Sequence, residues 1–325
     1  MKVSKLLIIS LLLFALVFAL VFSSSGFASQ EYPSKLIEVI IPFSAGGGTD
    51  INVRAINREL TEILGVPIVV RNMPGADAML GIGALSIAKP DGYTIAAFNL
   101  KAAIMAQIVQ KPDFDLREFT PIGSYAKESQ VLAAKGDFPY DYGEMFDLSQ
   151  SGEIKLSIGN TGGITIIITN TLKEQGLMWD NSIEYPSGSE LVAALVRGEI
   201  DLIITPTATA STGIADGFLK GLAVLTDERH PGFPDIPSHT EFGYPSIETL
   251  GSELRCLFAP PGLPAEKQEI LESALQEALQ KDRLIEWSEK SGNLFVFKST
   301  EEIREQTNAA FKFTEQFDLE EIFGE

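Results

Sequence analysis

The chain has 325 residues, 45% of them hydrophobic, and carries 25 lysines and arginines against 44 acidic residues, a formal net charge of −19. That balance repels nucleic acid and anionic lipid surfaces at long range, so neither is an expected partner. The single cysteine, Cys256, excludes an internal disulfide framework, and its apolar surroundings (residues 254–259) make it a buried structural thiol.

The first element is not part of the fold. Lys2 and Lys5 precede an apolar run at residues 6–22, followed by a small polar stretch with Gly26 and Ala28. That order predicts a signal peptide over residues 1–28, cleaved after Ala28, and therefore an exported chain. An uncleaved anchor is the rival, but the run falls short of the ~20 residues a membrane helix needs. No cysteine stands at the cleavage site to carry a lipid. Cleavage removes Lys2, Lys5 and no acid, leaving 297 residues with 23 basic and 44 acidic groups, a net charge of −21. That length holds two medium domains or one large one.

Strand and helix patterns then alternate. Residues 37–42 read as a strand and 51–64 as a helix, with Ile51, Ala55, Ile56 and Leu60 on its apolar face and Gly65 as its stop. A strand at 67–70, a helix at 78–88, the turn Lys89-Pro90-Asp91-Gly92 and a strand at 93–98 complete a β-α-β-α-β run. This order implies a mostly parallel sheet with helices on both faces. An irregular stretch covers 111–121 before a strand at 130–134. The block then repeats as strand 155–158, glycine turn 159–163, helix 164–175, strand 182–185, helix 189–197 and strand 201–205. Two tandem blocks predict two α/β lobes rather than one long sheet. Residues 226–246, rich in proline and glycine, suit a connector. A strand at 255–259, an amphipathic helix after Pro264 and a strand at 294–297 follow. Ser299 and Glu302 form a capping box for the last helix.

The stretch "PFSAGGGTD", residues 42–50, is the first candidate site. A nucleotide-phosphate loop needs Gly-Lys-Ser/Thr, but Gly48 is followed by Thr49 and Asp50. A dinucleotide fingerprint needs a glycine where Ile51 stands. What remains is a cradle of backbone amides at a helix start, suited to one small anion. The helix dipole there, about half a positive charge, favours such an anion by roughly 0.3–1 kcal/mol. Thr49 or Asp50 can serve simply as the helix cap. "IGNTGGIT", residues 158–165, repeats the strand, glycine turn and helix start. Together the two predict a clamp for carboxylates that uses no lysine or arginine. Asn99 and Thr205 or Thr207 lie at strand carboxyl ends, where α/β ligands bind, or are simply polar loop residues. "GIGALS", residues 81–86, reads as close helix packing. The two histidines, His230 and His239, both fall in the connector, so no nucleophile–histidine–acid arrangement is indicated. No metal-ligand spacing occurs either, and neither metal nor cofactor is expected.

At "PFSAGGGTD", "VPIVVRNMPGADAMLGIGALSIAKPDGYT", "YPSGSELVAALVRGEIDLI" and "PDIPSHTEFGYP", taken in that order, the chain resembles the extracytoplasmic substrate-binding receptors of tripartite tricarboxylate transporters, the TctC or Bug group. The resemblance spans nearly the whole mature chain. It implies a two-lobed periplasmic-binding-protein-like α/β fold, each lobe a sheet flanked by helices, that closes on a carboxylate in the cleft between lobes without catalysis. It implies that Phe43, Ser44, Ala45, Gly46, Gly47, Thr49 and Asp50 grip a carboxylate through backbone amides, the Thr49 hydroxyl and bridging water. Asn160, Thr161, Gly162, Gly163 and Thr165 are the counterpart in the second lobe, and Ser187, Thr205 and Asn99 complete the candidate ligand set. The chain departs from the family where Asn160 replaces a glycine and Ile166 a histidine, while Gly162 and Thr165 match. Arg255, before Cys256, reads as a brace at the hinge rather than an anion contact.

The expected protein is thus a monomeric solute-binding receptor, not an enzyme, handing a small carboxylate to membrane transporter subunits. Lobe one would comprise residues 29–128 and 227–325, and lobe two residues 129–226. A membrane-anchored sensor of the same fold and a transferase using the glycine loops are the alternatives.

Overall fold

The computed structural model describes residues 32–161, 163–291 and 293–315; the expected signal peptide and Gly162 lie outside them. In chain order the elements are β1 (Ile37–Ile41), α1 (Gly48–Leu64), β2 (Ile68–Asn72), α2 (Met79–Ser86), β3 (Thr94–Asn99), α3 (Leu100–Gln110) and β4 (Thr120–Lys135). Next come α4 (Tyr142–Ser151), β5 (Ser157–Asn160), α5 (Ile164–Glu174), β6 (Asn181–Glu184), α6 (Gly188–Arg197), β7 (Leu202–Pro206), α7 (Thr207–Ala215) and β8 (Leu219–Val224). The chain closes with α8 (Glu248–Gly251), β9 (Ser252–Ala259), α9 (Ala265–Leu279), α10 (Asp282–Ser291) and α11 (Thr300–Thr314). Among the described residues no helix is long and apolar enough to cross a membrane.

Lobe one is built on the order β2-β1-β3-β9-β4, with β1 parallel to β2 and β3 and with β9 antiparallel to both neighbours. The inner strands β1 and β3 are largely apolar on both faces because helices cover both. Val39, Ile95 and Leu257 turn toward α1 and α9, while Ile40, Ala96 and Phe258 turn toward α2, α3 and α11. Lobe two repeats the plan with β7, β5 and β6 parallel. Leu132, Ile158 and Ile204 face α4 and α5, while Val131 and Ile203 face α6 and α7.

β4 belongs to both lobes. Its first part pairs antiparallel with β9, from Thr120 opposite Ala259 to Ser129 opposite Ser252. From Gln130 opposite Pro206 onward it pairs with β7, and Val131 to Lys135 also pair with β8. The two sheets are therefore joined through one shared strand, where the tandem blocks alone suggested separate ones. The expected strand at 130–134 is only the lobe-two end of β4. Its lobe-one end was hidden by the polar run Lys127-Glu128-Ser129-Gln130, whose first two charges are neutralised by partners distant in sequence: Lys127 by Glu248 and Glu128 by Arg255.

Other departures have local causes. α3 follows β3 directly, with no glycine or proline to mark the change, and α7 follows β7 directly with only Pro206 at the junction of strand and helix. β8 carries Gly221 in mid-strand, and α10 also went unread. The expected strand at 294–297 forms only isolated bridges along β4, Lys127 with Leu294 and Ser124 with Lys298. Gly81 bears out the close-packing reading: a Cβ there would lie 2.7 Å from Pro42 Cβ, so its absence lets α2 support the loop after β1.

Candidate functional site

Residues 42–47 carry the chain from β1 into α1. Phe43 is half-buried between the two lobe-one cores, and Ser44, Ala45 and Gly46 are exposed. Gly46 has φ +80°, the left-handed region that a Cβ disfavours. Gly47 is the residue before the helix, and no side chain caps it. Thr49 and Asp50 are therefore not caps. Thr49 donates its hydroxyl to Asn99 Oδ1 at 3.0 Å. Asp50, in the first turn, reaches back to accept from the Gly46 amide at 2.9 Å, and also from Arg54 Nε at 2.9 Å and Asn72 Nδ2 at 3.0 Å. Burial would raise its pKa, but the bonds from Arg54, the Gly46 amide and Asn72 outweigh that and hold it low. Asn72 Nδ2 also donates to the Phe43 carbonyl at 3.1 Å. Asp50 thus fixes the loop's shape and leaves the first-turn amides uncapped.

Beneath the loop lies a buried charge network. Asn99 passes from Thr49 to Glu128, donating Nδ2 to Oε2 at 3.3 Å. Glu128 Oε1 accepts from Arg255 Nη2 at 2.5 Å, with both side chains 5% exposed. The Arg255 guanidinium rests against Gly48, where a Cβ would lie 2.5 Å from Nη2. Arg255 thus stands directly at the first helix start. It also ties β9 to β4 through Glu128, in keeping with the brace reading. Opposite Glu128 and two residues before Arg255, Glu253 accepts the Lys101 amide at 2.7 Å and the Ala102 amide at 3.3 Å, plugging the start of α3. Glu128 and Glu253 were not singled out by sequence reasoning, nor was the contact of Gly48 with Arg255. The available signal was charge inside two otherwise strand-like segments, 127–130 and 253–255.

In lobe two, β5 ends at Asn160 and α5 begins at Ile164 after Gly163, again with no side-chain cap. Thr165 Oγ1 accepts the Thr161 amide at 3.2 Å, and Asn160 Nδ2 donates to Ser182 Oγ at 3.3 Å. Ser187 caps α6, accepting from the Glu190 amide at 3.3 Å. Thr205 is fully buried beside that helix start, about 3.9 Å from where a Cβ on Gly188 would sit. Its hydroxyl is without a partner among the described residues.

The structure thus gathers the candidates into two groups. Phe43 to Asp50 join Asn99 because β1 and β3 run parallel and end together. Asn160 to Thr165, Ser187 and Thr205 gather because β5 is parallel to both β6 and β7. Each group pairs strand carboxyl ends with helix amino ends, the arrangement that binds anions in α/β proteins. The histidines lie elsewhere. His239 Nδ1 contacts the Tyr142 hydroxyl at 2.6 Å and Nε2 contacts Gln175 Oε1 at 2.7 Å, while His230 Nδ1 accepts the Gly232 amide at 3.0 Å.

The sequence family described as the tripartite tricarboxylate transporter family receptor matches residues 52–307. The chain belongs to that family. Among relatives of the receptor, Protein BugT of Bordetella pertussis is 26% identical over 283 residues, covering 85% of this chain and 86% of BugT. A solved periplasmic transporter is 26% identical with a TM-score of 0.76, covering 88% of this chain and 96% of its own. MatC from Rhodopseudomonas palustris, solved with bound malate, is 24% identical with a TM-score of 0.73 over 90% of this chain and 99% of its own. The receptor accordingly has the two-lobed periplasmic-binding-protein fold.

Proposed function

We propose that the receptor captures a small carboxylate-bearing ligand between its two glycine turns, outside the cytoplasm, and delivers it to the membrane subunits of a tripartite transporter. The observation that carries this reading is the pair of uncapped helix starts, at Gly47 and Gly163, one in each lobe. Ser44 to Gly47, Thr49, Asn160, Thr161, Gly163 and Thr165 are the contacts, with Ser187 and Thr205 beside the second turn and Gly162 within it. Phe43, Asp50 and Asn99 hold the first turn in shape. Both histidines serve structural contacts away from the turns, which supports binding without catalysis. The chain acts as a monomer exported by a signal at residues 1–28. Its lobe one is residues 29–128 with 227–325, and lobe two is 129–226. Closure about β4 then buries the ligand, with the closed state selected by its higher affinity.

Two Rhodopseudomonas palustris proteins of this fold were solved with malate and with adipate, which makes those acids the first probes. Thermal unfolding of residues 29–325 is expected to shift upward with a mono-, di- or tricarboxylate and not with its amide, because a ligand of the folded state alone stabilises it. A shift with nucleotides and none with any carboxylate would refute the reading. Gly47→Val, which places a side chain over the amides, is expected to abolish the carboxylate shift and leave unliganded melting nearly unchanged.

A further inference from the structure

We propose that Arg255 is the charged half of a carboxylate subsite at the start of α1, receiving one carboxylate of the ligand together with the first-turn amides. The inference rests on the receptor reading and adds to it a residue and a charge requirement.

Three observations carry it. Arg255 is 4% exposed, yet its Nε has no partner among the described residues. A guanidinium N–H so buried is costly to leave without an acceptor. The same guanidinium packs on Gly48, the first residue of a helix whose start no side chain caps. Finally, the acceptors around it are already committed. Glu128 Oε1 takes Nη2, Glu128 Oε2 takes Asn99, and Asn99 Oδ1 takes Thr49. What the subsite offers is therefore donors: the Nε–H of Arg255 and the amides of Gly48 and Thr49. The charge that pairs directly with the guanidinium is that of Glu128, while Asp50, in the first turn, is turned back to Arg54 and the Gly46 amide.

A donor-only subsite of this kind takes an ionised carboxylate. An amide, ester or alcohol brings too few acceptors, and an amide brings donors that meet donors. Glu128 has two consequences. It keeps the guanidinium in place, and it competes with the ligand for the same positive charge.

The competition gives a test with opposite signs. Isothermal titration with succinate, malate and adipate would compare wild type, R255M, E128Q and the double variant R255M/E128Q. For the strongest-binding acid, R255M is expected to weaken binding by on the order of tenfold or more, and E128Q to strengthen it by about threefold. A mere brace predicts that E128Q and R255M both weaken binding or both leave it alone. R255M strands the Glu128 charge, so the double variant, which removes that charge, keeps the comparison readable if R255M alone fails to fold. Near-UV circular dichroism checks each fold. Binding by R255M or the double variant within about twofold of wild type, or by E128Q no tighter than wild type, would overturn the subsite and leave the receptor reading standing. If no mono-, di- or tricarboxylate binds wild type, the receptor reading falls first and the subsite with it.

Discussion

At the residue scale, the three glycines of the first turn do different work. Gly46 supplies a left-handed backbone, Gly47 leaves the helix start open, and Gly48 makes room for Arg255. Gly48→Ala drives a methyl group against a guanidinium held by Glu128 and is expected to cost about 1–3 kcal/mol in urea unfolding. A loss no larger than that of Ala at Gly83, where the nearest atom to a Cβ is 3.5 Å away, would contradict the packing account. Asp50→Ala leaves the Gly46 amide, Arg54 and Asn72 without their acceptor; about 1–3 kcal/mol should be lost together with carboxylate affinity. Unchanged affinity would mean that the turn keeps its shape without Asp50. Glu253 gives a pH signature. Burial pushes it up to about 7 against the pull of the Lys101 charge and amide. Raised above its ordinary 4.5, it lends stability that is complete below that value and is lost as the pH rises through about 7. The stability of wild type relative to Glu253→Gln should therefore fall between about pH 5 and pH 8, and a flat difference would contradict the shift. The glycine turns were legible in the sequence because glycine before a helix has a local cause. Glu128 and the placement of Arg255 were not, because their meaning lies in a contact 127 positions apart in the chain.

At the scale of elements, α1 forgoes a cap at the position proposed to receive the carboxylate. Gly47 already has the extended backbone of a capping residue, with φ −74° and ψ 166°. Gly47→Asp should therefore cap α1, gaining a few tenths of a kcal/mol over glycine, while its carboxylate occupies the amides and repels the ligand. The expected result is a slightly higher melting temperature with carboxylate affinity reduced on the order of tenfold or more. Equal or tighter binding would show that the amides are not the site. Elements bounded by turn chemistry, such as α1 between Gly47 and Gly65, were legible from periodicity and punctuation. α3 and α7 were not, since each leaves its strand without a turn. β4 was half-legible, because its lobe-one end buries charge that only tertiary partners make tolerable.

At the scale of the whole molecule, the two-lobe plan was readable from tandem strand–turn–helix blocks, and the shared strand was not. β4 passes from one sheet to the other between Ser129 and Gln130, beside the Glu128–Arg255 pair, so the network under the first turn adjoins the crossing point. The central claim is that both turns grip one ligand. Amide hydrogen exchange of residues 29–325, with and without the carboxylate that raises the melting temperature, tests it most directly. The account predicts slowed exchange in both residues 44–50 and residues 160–165. Slowing in only one of these turns, or centred instead on the separate cavity of about 390 Å³ lined by Lys127, Asp227, His230 and Glu248, would contradict it.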